Sequence, residues 1–331
     1  MSSSSNPISV VIGWIAGLLG LGGEAPERKP LHGVLVEIAP GEGPVWGSLS
    51  GLTAHPTDPN RLFAVPDKDS PPSRIIEIDV SDGAARVVRQ IALSGPLATE
   101  LDTEGITAKP DGGFWIASEG DDFDRPANRL IEVDAEGHVL RAIVLPPAIS
   151  PRMTKSGFEG VAYVPGADGG GVVYTSIQRP IEGDPDDLTR IAAVDTATGE
   201  WRFWHYPLEL IKDDTDTTGL SELAHVGGGR FAAIERDGRG KRSAIKWVTV
   251  FELGTIAGAP ADGEPPLLKK RVAVDLVPLF LDAGRKVEKE IEGLTIAADG
   301  QVYALTDNDT EPGHPTILLR LGKSEAVFGG K

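Results

Sequence analysis

The chain has 331 residues, and its 49 Asp and Glu against 32 Lys and Arg give a formal net charge of −17. This acidic balance disfavours nucleic acid and anionic lipid as partners and favours a cation. The absence of cysteine excludes disulfides, thiolate metal sites and a cysteine nucleophile, whereas 41 glycines and 26 prolines indicate many turns.

The first 30 residues have the character of a leader and linker, and we assign the folded domain to residues 31–331. Residues 8–21 are apolar and about as long as the core of a signal peptide, but no Lys or Arg precedes them and no A-x-A site follows. The run is short and glycine-rich for a membrane span. A signal peptide, a membrane anchor and neither of the two stay open.

The rest of the chain is a fivefold repeat of short predicted strands separated by Asp, Gly and Pro turns. The first strand of each repeat is predicted at 50–54, 104–108, 159–163, 221–224 and 292–296. The second strand is predicted at 62–67, 114–119, 173–178, 230–235 and 302–307. The third strand is predicted at 74–79, 129–134, 190–195, 244–248 and 316–321. A fourth strand is predicted at 85–93, 138–145, 200–207 and 268–276.

The strands alternate at period two and are rich in Val, Ile, Tyr and Trp, which excludes helical repeats. We predict an all-β fold, a single closed β-propeller of four-stranded blades. Five blades are counted, and a sixth, degenerate blade stays open. The last repeat lacks a fourth strand, so we expect residues 32–38 to supply it by pairing with 316–321, which closes the ring and removes exposed sheet edges.

The residue that opens the first strand is acidic in most repeats. In chain order these residues are Ser50, Glu104, Glu159, Glu222 and Glu292. First strands line the channel of a propeller, and converging carboxylates stay ionised together only near a positive partner, a role that suits calcium. We therefore predict that the four glutamates are catalytic residues and, with Asp307, metal ligands. Hydrogen bonding between blades is the alternative, and both stay open.

A second set of polar residues ends the second strands. In chain order these are Asp67, Glu119, Gln178, Glu235 and Asp307. We favour hydrogen bonding between blades for this set, except at Glu119 and Glu235, whose basic neighbours Arg125 and Arg236 indicate that they face a substrate. The predicted substrate-binding residues are Arg152, Lys155, Arg179, Arg236, Glu119 and Glu235, since Arg binds phosphate oxygens in a bidentate fashion. The alternative is that each basic residue neutralises a local acid.

Four motif groups resemble the phytase-like family, whose domain is described by the "esterase-like activity of phytase". They are Asp102-Thr103-Glu104-Gly105-Ile106 with 114–119, Ser156-Gly157-Phe158-Glu159-Gly160, Leu220-Ser221-Glu222 with Glu235-Arg236, and Ile291-Glu292-Gly293 with Thr306-Asp307-Asn308. The resemblance implies a propeller, export to the periplasm or outside the cell, and metal-assisted hydrolysis of a small anionic ester or phosphoester, and we expect a monomer. The chain departs from the family pattern at Gln178, where glutamate is usual. It also lacks the Asp-rich motifs of alkaline propeller phytases.

Two alternative functions stay open. Glu42-Gly43-Pro44-Val45-Trp46 resembles the opening motif of gluconolactonase-type propellers, which implies a calcium-dependent lactonase. The other alternative is a propeller without catalysis that binds a ligand or a protein, because one fold can support many functions.

Overall fold

A computed structural model describes residues 33–42, 45–67, 72–98, 101–119, 128–167, 169–211, 218–309 and 314–329. All of these belong to one compact unit, Leu31–Lys331. The predicted leader at 1–30 lies outside the described residues. Within the described ranges, no helix is long and apolar enough to cross a membrane.

The described residues form antiparallel strands joined by short turns, as the repeat predicts. The strands of the first half are β1 (Val34–Ala39), β2 (Leu49–Ala54), β3 (Arg61–Pro66), β4 (Arg74–Asp79), β5 (Ala85–Ala92), β6 (Thr103–Ala108), β7 (Phe114–Ser118), β8 (Arg129–Val133), β9 (Val139–Val144) and β10 (Phe158–Pro165). Those of the second half are β11 (Gly171–Ile177), β12 (Leu188–Asp195), β13 (Trp201–Pro207), β14 (Gly219–Gly227), β15 (Arg230–Arg236), β16 (Lys246–Glu252), β17 (Arg271–Asp275), β18 (Ile291–Ile296), β19 (Gln301–Thr306) and β20 (Ile317–Lys323). Two short helices, α1 (Val277–Asp282) and α2 (Ser324–Phe328), were not predicted.

Four consecutive strands form each of the first four sheets. Sheet 1 is β2–β5, sheet 2 is β6–β9, sheet 3 is β10–β13 and sheet 4 is β14–β17. Sheet 5 combines β18, β19 and β20 with β1, which runs antiparallel to β20 from Val34 opposite Arg320 to Glu37 opposite Ile317. The predicted pairing of the N-terminal strand with the last strand is therefore confirmed for its described part, and the all-β class is confirmed with it. β1 also pairs in parallel with β5, which joins sheets 5 and 1 into one eight-stranded sheet.

The first strands of successive sheets contact one another, and β18 of sheet 5 contacts β2 of sheet 1. The apolar core is correspondingly divided into clusters between neighbouring sheets. These clusters lie between sheets 1 and 2, 2 and 3, 3 and 4, 4 and 5, and 5 and 1. Burial of apolar surface between the sheets is thus what holds each one to its two neighbours.

Candidate functional site

Each first strand carries a register irregularity at the same place near its start. The extra residue is Ser50 in β2, Glu104 in β6, Ser221 in β14 and Glu292 in β18, and in β10 the irregularity covers Glu159 and Gly160. A β-bulge of this kind bends the strand and redirects a side chain. The structurally equivalent set is therefore Ser50, Glu104, Glu159, Ser221 and Glu292.

Sheet 4 departs from the sequence prediction by one residue. Its equivalent of the channel glutamates is Ser221, and the predicted Glu222 occupies the next position, where the other four first strands carry Gly51, Gly105, Gly160 and Gly293. The sequence shows the acidic residue of each first strand but not the one-residue bulge near it. It therefore predicts Glu222, rather than Ser221, as the equivalent of the glutamates in the other first strands.

The glycine positions lie where neighbouring first strands approach most closely. A Cβ added at Gly105 would lie 2.4 Å from the carbonyl oxygen of Glu159, and one at Gly160 would lie 1.9 Å from the amide nitrogen of Leu223. Both distances are far below van der Waals contact, so this approach requires glycine. Glu222 alone among the five first strands places a side chain at this level.

The Glu222 carboxylate is 1% exposed and receives hydrogen bonds from three first-strand amides. Its Oε2 accepts from the amides of Leu52 (3.1 Å) and Leu294 (3.4 Å), and its Oε1 accepts from its neighbour Leu223 (2.9 Å). Burial raises the pKa of Glu222, and the three amides oppose that rise. Because both oxygens already have partners on sheets 1, 4 and 5, this geometry does not fit the predicted metal-ligand role of Glu222.

Glu104 and Glu159 each pair with a polar residue and lie close to other acids. Ser50 Oγ donates to Glu104 (2.6 Å), and Gln178 Nε2 donates to Glu159 (2.5 Å). Burial raises the pKa of both glutamates well above the usual range. For Glu159, the carboxylates of Glu104 and Glu292 raise it further. The structure thus brings three of the four predicted channel glutamates together.

Arg236 balances part of this charge. Its guanidinium donates to Glu292 and lies 3.6 Å from Glu290. Burial opposes its charge, yet the surrounding carboxylates raise the pKa of Arg236 overall. Glu292 Oε2 is buried and has no hydrogen-bond partner among the described residues, so the cluster keeps one unsatisfied oxygen inside it.

The second column also shifts by one residue in sheet 4. Leu220 lies opposite Glu235, as Leu49 lies opposite Pro66 and Ile291 opposite Thr306. Arg236 follows Glu235 just as Asp67 follows Pro66 and Asp307 follows Thr306, so Arg236 is the counterpart of these two aspartates. In sheet order the column is Asp67, Glu119, Gln178, Arg236 and Asp307.

Glu235 is fully buried between sheets 3 and 4. Its carboxylate accepts from Tyr206 Oη (2.9 Å), Lys270 Nζ (2.5 Å) and the amide of Glu209 (2.6 Å). The expectation that Glu235 faces a substrate does not fit these contacts. The contacts of Glu235 fit hydrogen bonding between sheets, which is the role predicted for the other residues of this set.

Two groups of carboxylates have the spacing of a metal site. The ligand oxygens within each group lie within 4.8 Å of one another, and the groups are Asp102, Glu104 and Glu119, and Glu290, Asp307 and Asp309. Oxygen donors without His or Cys suit Ca²⁺ or Mg²⁺ rather than zinc. Burial raises the pKa of Glu104, and the charges of Asp102 and Glu119 raise it further. A cation would stabilise the ionised form of such a group, so these residues fit a hard cation.

Asp307 is the most strongly perturbed member of the second group. Burial raises its pKa to about 8, and Glu292 and Asp67 add to the rise, while a hydrogen bond from the Asp309 amide opposes it. Asp307 therefore carries a proton near neutral pH in the metal-free protein. Asp102, Glu290 and Asp309 were not predicted as ligands, although Asp102 and Asp309 stand two residues from Glu104 and Asp307, in the same acidic stretches.

The other predicted basic residues that the structure describes lie in different surroundings. Arg152 donates to Asp184 (2.6 Å) and to the Glu182 carbonyl (2.7 Å), and Asp184 also binds Arg190, which matches the alternative that Arg152 neutralises a local acid. Arg179 is half-buried with Nη1 3.5 Å from the Thr218 carbonyl, and Lys155 is exposed. Arg125 lies outside the described residues.

Comparison with known proteins identifies one family. The profile of the family described as "Phytase-like: Esterase-like activity of phytase" matches residues 44–310. No curated protein gives a significant sequence match.

Solved structures resemble the chain weakly. A luciferin-regenerating enzyme is 11% identical with a TM-score of 0.42, covering 83% of this chain and 78% of that one. A hypothetical protein from Leishmania major is 11% identical with a TM-score of 0.46, covering 91% and 92%. A periplasmic gluconolactonase from Pseudomonas aeruginosa is 13% identical with a TM-score of 0.34, covering 83% of this chain and 86% of that one. At these TM-scores we infer nothing about activity from the three.

Proposed function

The chain belongs to the phytase-like family, and from this membership we propose that it is a hydrolase of ester bonds built on one closed, five-bladed β-propeller. Support for the closed ring comes from two features. The first strands contact one another in cyclic order, and an apolar cluster lies between every pair of neighbouring sheets. In this proposal the five sheets are the blades and the bulged first strands line the channel.

The observation that carries the proposal is the convergence of Asp102, Glu104 and Glu119. We propose that these residues bind calcium. Their oxygens provide the hard ligands that calcium prefers. Burial raises the pKa of Glu104 and the charges of Asp102 and Glu119 add to the rise, and a cation there would oppose both effects. Bound calcium would polarise the carbonyl or phosphoryl oxygen of the ester.

The chain's own residues supply the proton transfers. Burial and the nearby Glu104 raise the pKa of Glu159, and calcium bound beside Glu104 would lower it again, so that the ionised Glu159 accepts the proton of the attacking water. Asp307, which holds its proton up to about pH 8, donates that proton to the leaving oxygen. Lys286 and Lys289 line a cavity of about 190 Å³ together with Asp307 and provide positive charge for an anionic group on the substrate.

A panel of phosphoesters, carboxylesters and lactones, assayed with calcium and with EDTA, tests the proposal. We expect calcium-dependent hydrolysis of a phosphoester or carboxylester, and a loss of at least about a hundredfold in kcat for Glu104→Gln, within the range for removing electrostatic stabilisation. Hydrolysis that persists in EDTA would contradict the metal role.

The same panel separates the alternatives. Activity on lactones alone would favour a lactonase, although Glu42 of the gluconolactonase-like motif is exposed on the loop before β2. The absence of any turnover would favour a binding protein.

A further inference from the structure

In four of the five sheets, one backbone hydrogen bond places the residue after the second strand beside the bulged start of the first strand. Its amide donates to the carbonyl two residues before Ser50, Glu104, Glu159 or Glu292. These bonds run from Asp67 to Ser48 (2.9 Å), from Glu119 to Asp102 (2.9 Å), from Gln178 to Gly157 (2.9 Å) and from Asp307 to Glu290 (3.2 Å). Each bulged residue in these sheets thus has one fixed neighbour from its own sheet.

This neighbour is an acid at two of the three clustered glutamates and a neutral amide at the third. The pairs are Glu104 with Glu119, Glu292 with Asp307, and Glu159 with Gln178. Burial raises the pKa of Glu104 and of Asp307, and repulsion within the two acidic pairs adds to the rise. Gln178 instead donates from Nε2 to Glu159 Oε1 (2.5 Å). A side-chain amide does not titrate, so it remains a donor at any pH.

The backbone holds Gln178 from two sides. Its amide donates to the Gly157 carbonyl (2.9 Å) of sheet 3, and its carbonyl accepts from the Leu220 amide (3.1 Å) of sheet 4. The stem of the side chain packs against Gly219, where an added Cβ would lie 3.1 Å from Gln178 Cγ. The side-chain amide therefore reaches Glu159 from a position that two neighbouring sheets fix.

The two oxygens of Glu159 differ in their surroundings. Oε1 accepts from Gln178, whereas Oε2 accepts no hydrogen bond within the described ranges. Glu159 Oε2 is nevertheless not enclosed by protein atoms, in contrast to Glu292 Oε2, which is buried without a partner. The other oxygen of Glu292 is taken by Arg236. A water molecule can therefore reach Glu159 Oε2 but not Glu292 Oε2.

We propose that Gln178 is the positioning residue of the general base, which holds Glu159 by Oε1 so that Oε2 faces the attacking water. The inference rests on the proposed function for the role of Glu159. Neither acidic pair can be arranged in this way, because an ionised carboxylate is an acceptor only. The residue after the second strand thus separates the roles of the clustered glutamates, with Glu159 as the one that accepts a proton.

Crystal structures of the full chain and of Gln178→Met, both in EDTA, test the positioning without any substrate. Methionine keeps the length of the side chain and removes the donor. We expect the Glu159 carboxylate to turn in the variant and Oε1 to move by about 1 Å or more, a displacement large enough to impair catalysis. Gln301→Met is the matched control, because Gln301 Nε2 donates to the carbonyls of Val302 (3.0 Å) and Gly322 (3.2 Å) in sheet 5. An unmoved Glu159 in Gln178→Met would overturn the proposal.

Kinetics on the ester that wild type hydrolyses test the consequence. Gln178→Met should lower kcat about ten- to hundredfold with KM nearly unchanged, because the base is misplaced while the substrate is still bound. Gln301→Met should change neither constant. An unchanged kcat, or a loss confined to KM, would overturn the proposal. If wild type hydrolyses no ester, the proposed function fails, and the two structures still decide whether Gln178 orients Glu159. Gln178→Ala replaces Gln178→Met in both experiments if the latter does not fold.

Discussion

At the scale of single residues, Glu222 occupies the position at which the other four first strands have glycine. The other four first strands approach one another at glycine, whereas the Glu222 carboxylate accepts hydrogen bonds from the amides of Leu52, Leu223 and Leu294. The amides it binds belong to sheets 1, 4 and 5, and sheets 5 and 1 are the two ends of the repeat. We therefore expect Glu222 to hold those sheets together rather than to bind metal.

Glu222→Gly restores the residue found in the other four sheets and should nevertheless destabilise the protein. We expect the free energy of unfolding to fall by about 2–4 kcal/mol, because three buried amides lose their side-chain acceptor. Hydrogen exchange should accelerate at the amides of Leu52 and Leu294. The amide of Ala108, which donates to Thr53 Oγ1 (3.0 Å), is the internal control and should not change. Unaltered exchange at Leu52 and Leu294 would show that Glu222 is not their acceptor in solution.

Asp307 gives the stability of the metal-free protein a specific pH dependence. Its folded-state pKa of about 8 lies above its ordinary value of 3.8, so the folded protein holds a proton that the unfolded chain releases. This contribution is complete below about pH 4 and is lost as the pH rises through about 8.

Asp307→Asn removes that titration and keeps an oxygen for the Asp309 amide. In EDTA, we expect wild type to lose more unfolding free energy between pH 5 and pH 8 than the variant, by at least about 1 kcal/mol. Urea unfolding at the two pH values measures the difference. Glu104 and Glu159 titrate in both proteins, so they cancel in the comparison. Equal losses in the two proteins would place the pKa of Asp307 near its ordinary value.

At the scale of strands and sheets, hydrophobic alternation and turn residues were enough to predict the sheets and the pairing of β1 with β20. The site was harder, because its geometry depends on the bulge at the start of each first strand. A bulge adds one residue without changing the alternation that precedes or follows it. The sequence therefore predicts Glu222 where the structure has Ser221, and it predicts Arg236 as a substrate-binding residue but not as the counterpart of Asp67 and Asp307. Asp102 lies beside Glu119 because β6 and β7 pair with Thr103 opposite Ser118, and the Glu119 amide donates to the Asp102 carbonyl (2.9 Å).

β1 closes the seam between sheets 5 and 1, since it pairs with both β20 and β5. Deleting residues 1–40 should expose the edge of β20, lower the melting temperature and promote association through the free edge. Deleting residues 1–30 keeps β1 and is the control, for which we expect little change. Melting curves and size-exclusion chromatography compare the two. Equal behaviour of the two truncations would mean that β1 does not stabilise the ring.

At the scale of the whole molecule, negative charge exceeds positive charge. The excess is found over the whole chain, with a net charge of −17, and locally in the cluster of Glu104, Glu159 and Glu292. Arg236 is shared by Glu290 and Glu292, and a further positive charge would stabilise the folded chain. A cation that binds only the native state raises the free energy of unfolding by mass action, by about 2.7 kcal/mol at 100 times its dissociation constant.

Thermal unfolding with saturating calcium and with EDTA tests the metal site most directly. We expect a clear rise in the melting temperature of wild type with calcium, no rise for Glu104→Gln, and an undiminished rise for the control Glu222→Gln, because the side chain of Glu222 binds amides instead. A melting temperature of wild type that is the same in calcium and in EDTA would contradict a calcium site at Asp102, Glu104 and Glu119, and with it the metal-assisted hydrolysis proposed here.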